Sequence, residues 1–92
     1  MNQVASLQSK SSRIDVYDLE QRLQMAECRY ARARASLARV RAEYETLAFT
    51  AASVPRVVNA ARERLAAATA RCDRARREIA EMERLLDRGA AT

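Results

Sequence analysis

The 92-residue sequence contains no histidine and no tryptophan, and it has a single glycine, Gly89, and a single proline, Pro55. Without histidine the chain lacks the most common general base, and one glycine cannot form a loop that cradles phosphates. Its two cysteines, Cys28 and Cys72, fall on separate helix faces and cannot supply a zinc site. We therefore predict that the protein is not an enzyme, has no catalytic, cofactor-binding or metal-binding residues, and takes no small-molecule substrate.

Long apolar segments are also absent, since no run reaches the roughly 18 residues that a membrane-spanning helix needs. Residues 1–13 lack the apolar core of a secretory signal. Two cysteines without other secretory marks are typical of a reducing compartment. We expect a cytoplasmic protein that does not insert into a membrane.

Alanine, arginine, glutamate and leucine dominate the sequence, and its formal net charge is +5. Of the 17 basic residues only Lys10 is not arginine. This arginine excess has two explanations: an anionic partner, whose phosphates or carboxylates arginine binds with two hydrogen bonds, or a coding bias that enriches arginine and alanine together. Combined with a seven-residue period, the composition favours long helices or a coiled coil.

An apolar stripe with alternating steps of three and four residues runs through both halves of the chain, as in helices that pack along one face. Alanines, including Ala26, Ala61, Ala68 and Ala75, occupy several of its steps. We predict that the stripe forms an intramolecular seam, with these residues as its larger members: Leu19, Leu23, Tyr30, Leu37, Val40, Tyr44, Leu47, Val58, Leu65, Cys72, Ile79, Met82 and Leu86.

The helix ends are predicted from residues that favour the first or the last position of a helix. Ser12 followed by Asp15 has the pattern of a capping box, Pro55 suits the first position of a helix, and Gly89 suits the position just past its end. The predicted division is a disordered tail (1–11), a first helix (12–50), a turn (51–54), a second helix (55–88) and a C-terminal tail (89–92).

The segment 50–55 decides whether the two helices fold back or run on as one. Continuation is favoured by the heptad register, which stays in phase across it, and by the lack of glycine, asparagine or aspartate in residues 50–53. Folding back is favoured because an antiparallel register sets large seam residues mostly opposite small ones. We predict an all-α antiparallel two-helix hairpin about 55 Å long, completed by self-association or a partner helix. The alternative is one long helix kinked at Pro55 in a coiled-coil dimer.

Charges beside the seam also favour the hairpin. In its register, three pairs of opposite charge meet and two pairs of like charge oppose: Arg29–Glu78, Glu43–Arg64 and Glu27–Arg76, against Arg41–Arg62 and Glu20–Glu83. An antiparallel dimer of straight helices would form the same layers between chains, so that arrangement stays open.

A second stripe on the first helix also follows the three-and-four spacing. We predict that it is a partner-binding face, here called the docking face, formed by Tyr17, Cys28, Ala31, Ala35, Ala38, Ala42 and Phe49. Small residues admit a partner helix closely, and the two aromatic residues would anchor its ends. The alternative is that alanine is a good helix former on a solvated face.

Arginines concentrate in the middle of each helix, and five of them are candidate nucleic-acid contacts: Arg32, Arg34, Arg39, Arg74 and Arg77. A charged, solvated face is the other interpretation of this pattern. In architecture, the predicted hairpin resembles both secretion-system co-chaperones or stalk proteins and Rop-like RNA-binding bundles. We predict a non-enzymatic adaptor, assembly factor or chaperone, of secretion-system or phage-assembly type. It would pack as a coiled coil against a protein partner helix or in a homo-oligomer. A small basic Rop-like bundle that binds RNA or DNA is the alternative.

Overall fold

The computed structural model describes the backbone of residues 2–91 and the side chains of residues 16–89. Two helices account for nearly all of this range: α1, Asn2–Thr50, has 49 residues, and α2, Pro55–Ala91, has 37. The described chain contains no strand. The predicted all-α class is therefore confirmed.

Two ion pairs that span the seam show how the helices are arranged. Arg29 donates to Glu78 Oε1 at 2.6 Å, and Arg64 donates to Glu43 Oε1 at 2.8 Å. The first pair lies farther from the turn than the second, and the partners follow each other in opposite order along the two helices, so α2 runs back along α1. The antiparallel hairpin is confirmed, and the described chain is not one long helix kinked at Pro55.

The third predicted ion pair, between Glu27 and Arg76, is not formed. Arg76 instead donates to Asp73 at 3.0 Å on its own helix. Asp73 is three residues away on the same helix face, so Arg76 reaches it without crossing the seam. Arg76 therefore pairs with Asp73 rather than with Glu27.

The turn reverses the chain without a residue in the left-handed region, because no residue of the described chain has a positive φ. The Ala51 amide donates to the Leu47 carbonyl at 2.8 Å as the last helical bond, and the Val54 amide donates to the Ala51 carbonyl at 2.9 Å. Pro55 then opens α2, where its missing amide leaves no donor unpaired. The predicted turn of residues 51–54 thus forms without glycine, since its backbone never needs the conformation that glycine supplies.

Both outer helix boundaries differ from the predicted ones. α1 begins at Asn2 rather than at Ser12, so the predicted tail of residues 1–11 is helical from Asn2 onward. Residues 2–11 contain neither proline nor glycine, and nothing in them interrupts a helix. Ser12 therefore lies inside α1, and the side chains of the proposed capping box lie outside the described ones.

At the other end α2 continues through Gly89 to Ala91, and Gly89 does not adopt the positive φ of a helix cap. The alanines that follow Gly89 are good helix formers, which carries the helix past it. With 49 residues in α1 and a rise of about 1.5 Å per residue, the molecule is 74 Å long and 16 Å wide. The predicted length of about 55 Å was wrong because the first helix is longer than predicted.

The centre of the seam is made of alanine. Ala26, Ala61, Ala68 and Ala75 are buried, with exposed fractions of 0 to 8%, and no larger side chain is fully buried in the described part of the chain. The predicted larger seam residues, from Leu19 to Leu86, are all half-buried. Two helices can cover only one side of such residues, so the seam closes tightly at its alanines and stays partly open around them.

Candidate docking face on the first helix

All seven residues of the predicted docking face are exposed. At its two ends Tyr17 is 65% exposed and Phe49 is 88% exposed, the most exposed large apolar side chain in the described part of the chain. Four alanines, Ala31, Ala35, Ala38 and Ala42, and Cys28 lie between these aromatic residues. The hairpin therefore leaves this stripe uncovered along its whole described length.

The geometry of α1 explains why α2 does not cover the docking face. Seam residues and docking-face residues alternate around a helix of about 3.6 residues per turn, and the two stripes fall on nearly opposite sides of it. A single straight partner packs against only one of them. Alanine side chains on the uncovered stripe allow a second helix axis to approach to about 8 Å, the close end of the usual range.

A shallow groove of about 490 Å³ lies along the first half of this surface. It is lined by Gln21, Gln24, Met25, Cys28, Arg29 and Arg32. Met25, which is 59% exposed, adds an apolar side chain that the sequence interpretation did not include. Met25 follows Gln24 at the edge of the stripe. Because it is a large apolar residue outside the seam, the sequence alone could have indicated that it belongs to this surface.

The charges that flank the docking face change sign near its middle. The residues along the two edges of the face are acidic in the first half and arginines in the second: Asp18, Glu20 and Glu27, then Arg32, Arg34, Arg39 and Arg41. Two charges depart from this order: Arg29, which lines the groove but pairs with Glu78 across the seam, and Glu45, which lies on the second half of the face. Asp18 pairs with Arg22 Nε at 3.0 Å, and the Arg34 guanidinium lies 5.7 Å from the centre of the Tyr30 ring. The other five flanking charges have no ion pair or hydrogen bond within the described residues.

The proposed nucleic-acid contacts are only partly brought together. Arg32 and Arg74 line one cavity of about 330 Å³ between the helices, together with Arg29, Arg71 and Glu78 around a floor of Ala33 and Ala75. Arg34, Arg39 and Arg77 do not line it. Since Glu78 pairs with Arg29, three of the four guanidiniums around the cavity have no acidic partner among the described residues. Arg29 and Arg71 were not among the five predicted contacts, and the register between the helices brings them to this cavity.

The two cysteines are in different environments. Cys28 is exposed on the docking face, and Cys72 is half-buried in the seam. Cys72 therefore acts as a small apolar residue of the seam. No group of three or more His, Cys, Asp or Glu residues placed to hold a metal ion occurs among the described residues.

Neither helix has, within its described residues, a segment long and apolar enough to cross a membrane. Comparisons with protein-family models, with curated proteins and with solved structures find no match to this chain.

Proposed function

We propose that this chain is a non-enzymatic helical adaptor, assembly factor or chaperone. It acts by packing the docking face of α1 against a partner helix or a second copy of itself. The observation that supports this most is the uncovered stripe itself, with an exposed aromatic residue at each end. Between them lie Cys28 and four alanines, together with the exposed polar residues Gln21, Gln24 and Glu45. Full burial of one large apolar side chain stabilises a complex by about 1.5–3 kcal/mol.

The state of the seam supports the same proposal. Because only alanines are buried among the described side chains, the hairpin gains little from burial. Chains of this size commonly need a partner or self-association for stability. A helix laid on the docking face would hold α1 from both sides. Association would thus supply stability that the isolated hairpin lacks.

A photo-crosslinker tests the proposal without naming the partner in advance. Met25 borders the docking face and is large, so its replacement by a benzophenone amino acid changes the surface little. In the cells that make the protein, we expect light to yield a covalent adduct with a second polypeptide, and Ala35→Glu to abolish it. The control places the same group at Arg77, which is exposed on α2. Equal adducts at both positions, or none at position 25, would show that this face does not dock a helix.

A second candidate function, nucleic-acid binding, is favoured by the arginine-lined cavity between the helices. Arg32, Arg71 and Arg74 have no acidic partner among the described residues, and guanidiniums bind backbone phosphates with two hydrogen bonds. If the chain binds RNA or DNA, purified protein should retard it in a gel with a steep salt dependence. Arg32→Gln with Arg74→Gln should weaken this retardation more than Arg34→Gln with Arg77→Gln. A lack of retardation at low salt would eliminate this function.

A further inference from the structure

We propose that the docking face is occupied by a second copy of the chain, with the two α1 helices antiparallel and a twofold axis between Cys28 and Ala31. This inference rests on the proposed function, because it names the occupant of the same face. It is carried by the charges and the side-chain sizes along α1.

The order of charge along α1 makes its docking face self-complementary when two copies run in opposite directions. The charges beside the docking face are acidic between residues 18 and 27 and are arginines between residues 32 and 41. Antiparallel copies place the acidic half of each helix beside the basic half of the other. Parallel copies bring Glu27 of one chain near Arg32 of the other, but they also bring Arg34 near Arg39, a contact between like charges that the antiparallel arrangement avoids.

The side-chain sizes define the register. With the axis between residues 28 and 31, the layers along the interface pair Tyr17 with Ala42, Gln21 with Ala38, Gln24 with Ala35, and Cys28 with Ala31. In these four layers each larger side chain meets an alanine of the other copy, as close packing requires. Glu45 and Phe49 lie beyond these layers. The same rule operates in the seam, where the buried Ala61 lies in the layer of Tyr44.

The hairpin also shows where flanking charges meet beside an antiparallel interface. The two ion pairs across the seam join residues that each directly precede a seam residue. Arg29 precedes Tyr30 and Glu78 precedes Ile79, and their charged groups are 2.6 Å apart. Glu43 and Arg64, at 2.8 Å, precede Tyr44 and Leu65 in the same way.

Applied to the docking face, this rule predicts the ion pairs between copies. Glu20 precedes Gln21 and Arg41 precedes Ala42, so these two charges meet, and Glu27 meets Arg34 likewise. On the other edge, Asp18 lies opposite Arg39, although Asp18 already pairs with Arg22 on its own helix. The twofold axis forms each pair twice, and no like charges meet between residues 18 and 41. Glu20, Glu27, Arg39 and Arg41 have no ionic partner within the described hairpin, so they are free to pair between copies.

Neighbouring registers are less favourable. If one α1 helix slides along the other by one heptad in one direction, Arg34 of one copy faces Arg34 of the other. Arg32 then also faces Arg32. The opposite shift brings Glu27 against its copy. Like charges that face each other destabilise an interface, so the register that pairs Gln24 with Ala35 is selected.

Disulfide trapping tests the occupant and the register together. In a Cys28→Ser background, Gln24→Cys combined with Ala35→Cys should give a disulfide-linked dimer on mild oxidation of the purified chain. The two positions lie about 16 Å apart along one helix, so they cannot join within a chain. The control, Gln24→Cys with Ala42→Cys, lies on the same face but one heptad out of register and should give no disulfide-linked dimer. Trapping by the control instead, or by neither pair, would overturn the proposal.

Charge reversal provides a second test that does not depend on thiol chemistry. Glu27→Arg should weaken dimerisation about tenfold or more, because it places two arginines together at both symmetric sites. Adding Arg34→Glu exchanges the charges and should restore the wild-type dissociation constant, measured by sedimentation. Failure of the second change to restore it would contradict the register.

These results separate this inference from the proposed function. If purified protein is monomeric and the crosslinker at position 25 captures a different polypeptide in a manner that Ala35→Glu abolishes, the second copy is excluded while docking stands. If no adduct forms at position 25, the docking function itself is excluded.

Discussion

Replacement of Ala61 by glutamate is expected to unfold the hairpin. Ala61 is 1% exposed and belongs to the seam between the two helices. A longer side chain there would either force the helices apart or bury an unpaired charge. The expected loss in the free energy of unfolding is about 4 kcal/mol, which approaches the whole stability of a chain with so small a core.

The neighbouring alanine provides a matched control. Ala60 precedes Ala61 on the same helix and is exposed, so Ala60→Glu carries the same change in helix propensity and charge without touching the seam. We expect it to alter the free energy of unfolding by no more than about 0.5 kcal/mol. Urea unfolding followed by circular dichroism measures both variants. Equal losses in the two would mean that the alanine seam does not hold the helices together.

Replacement of Pro55 by alanine is expected to open the hairpin into an extended dimer. Proline inside a continuous helix lacks one hydrogen bond and clashes with the preceding turn, at about 3 kcal/mol. Since the seam register stays in phase across the turn, two straight chains side by side would recover nearly every seam layer. Removing the proline penalty shifts the equilibrium toward this form by more than about 100-fold.

Small-angle scattering distinguishes the two forms by length. The hairpin is 74 Å long, whereas a straight helix of residues 2–91 approaches about 135 Å. We expect the longer dimension in Pro55→Ala and an increase in its population with protein concentration, because the extended form is a dimer. Arg56→Ala, at the next and exposed position, should keep the hairpin length. A Pro55→Ala sample that scatters like the wild type at every concentration would show that the turn is held by more than its proline.

The seam was predictable from the sequence because its two signals are local. The three-and-four spacing places Leu19 and Tyr30 on one face of α1, and Leu65 on one face of α2, whatever each helix packs against. The matching of large residues with alanines then selects the antiparallel register. Two of the three predicted ion pairs follow from that register, and the third fails because Asp73 offers Arg76 a nearer partner.

The helix ends and the turn were harder to predict from the sequence. A capping pattern at Ser12 indicates where a helix is able to start, but it does not stop a helix that begins earlier in breaker-free sequence. Gly89 permits a helix cap without requiring one. At the turn, the lack of glycine counted against a reversal, yet the backbone reverses through residues 51–54 with negative φ throughout.

The two candidate surfaces also differ in how well the sequence predicts them. The docking face lies on one helix, so its periodicity alone predicted its residues, and the structure finds them exposed. The arginine-lined cavity joins residues of both helices, and its membership depends on how α1 and α2 are aligned. The five predicted contacts included Arg32 and Arg74, which line the cavity, but not Arg29 and Arg71, which line it with them.

The most direct test of the folded-back hairpin is the distance between spin labels at residues 20 and 80, both exposed. The labels would be attached through Glu20→Cys and Ala80→Cys, with Cys28→Ser and Cys72→Val removing the native thiols. Labelled protein is diluted into an excess of unlabelled protein, so that only distances within one chain remain. The hairpin predicts about 20 Å, from neighbouring helix axes about 8–10 Å apart. A distance near 90 Å, the length of 60 residues of continuous helix, would contradict it.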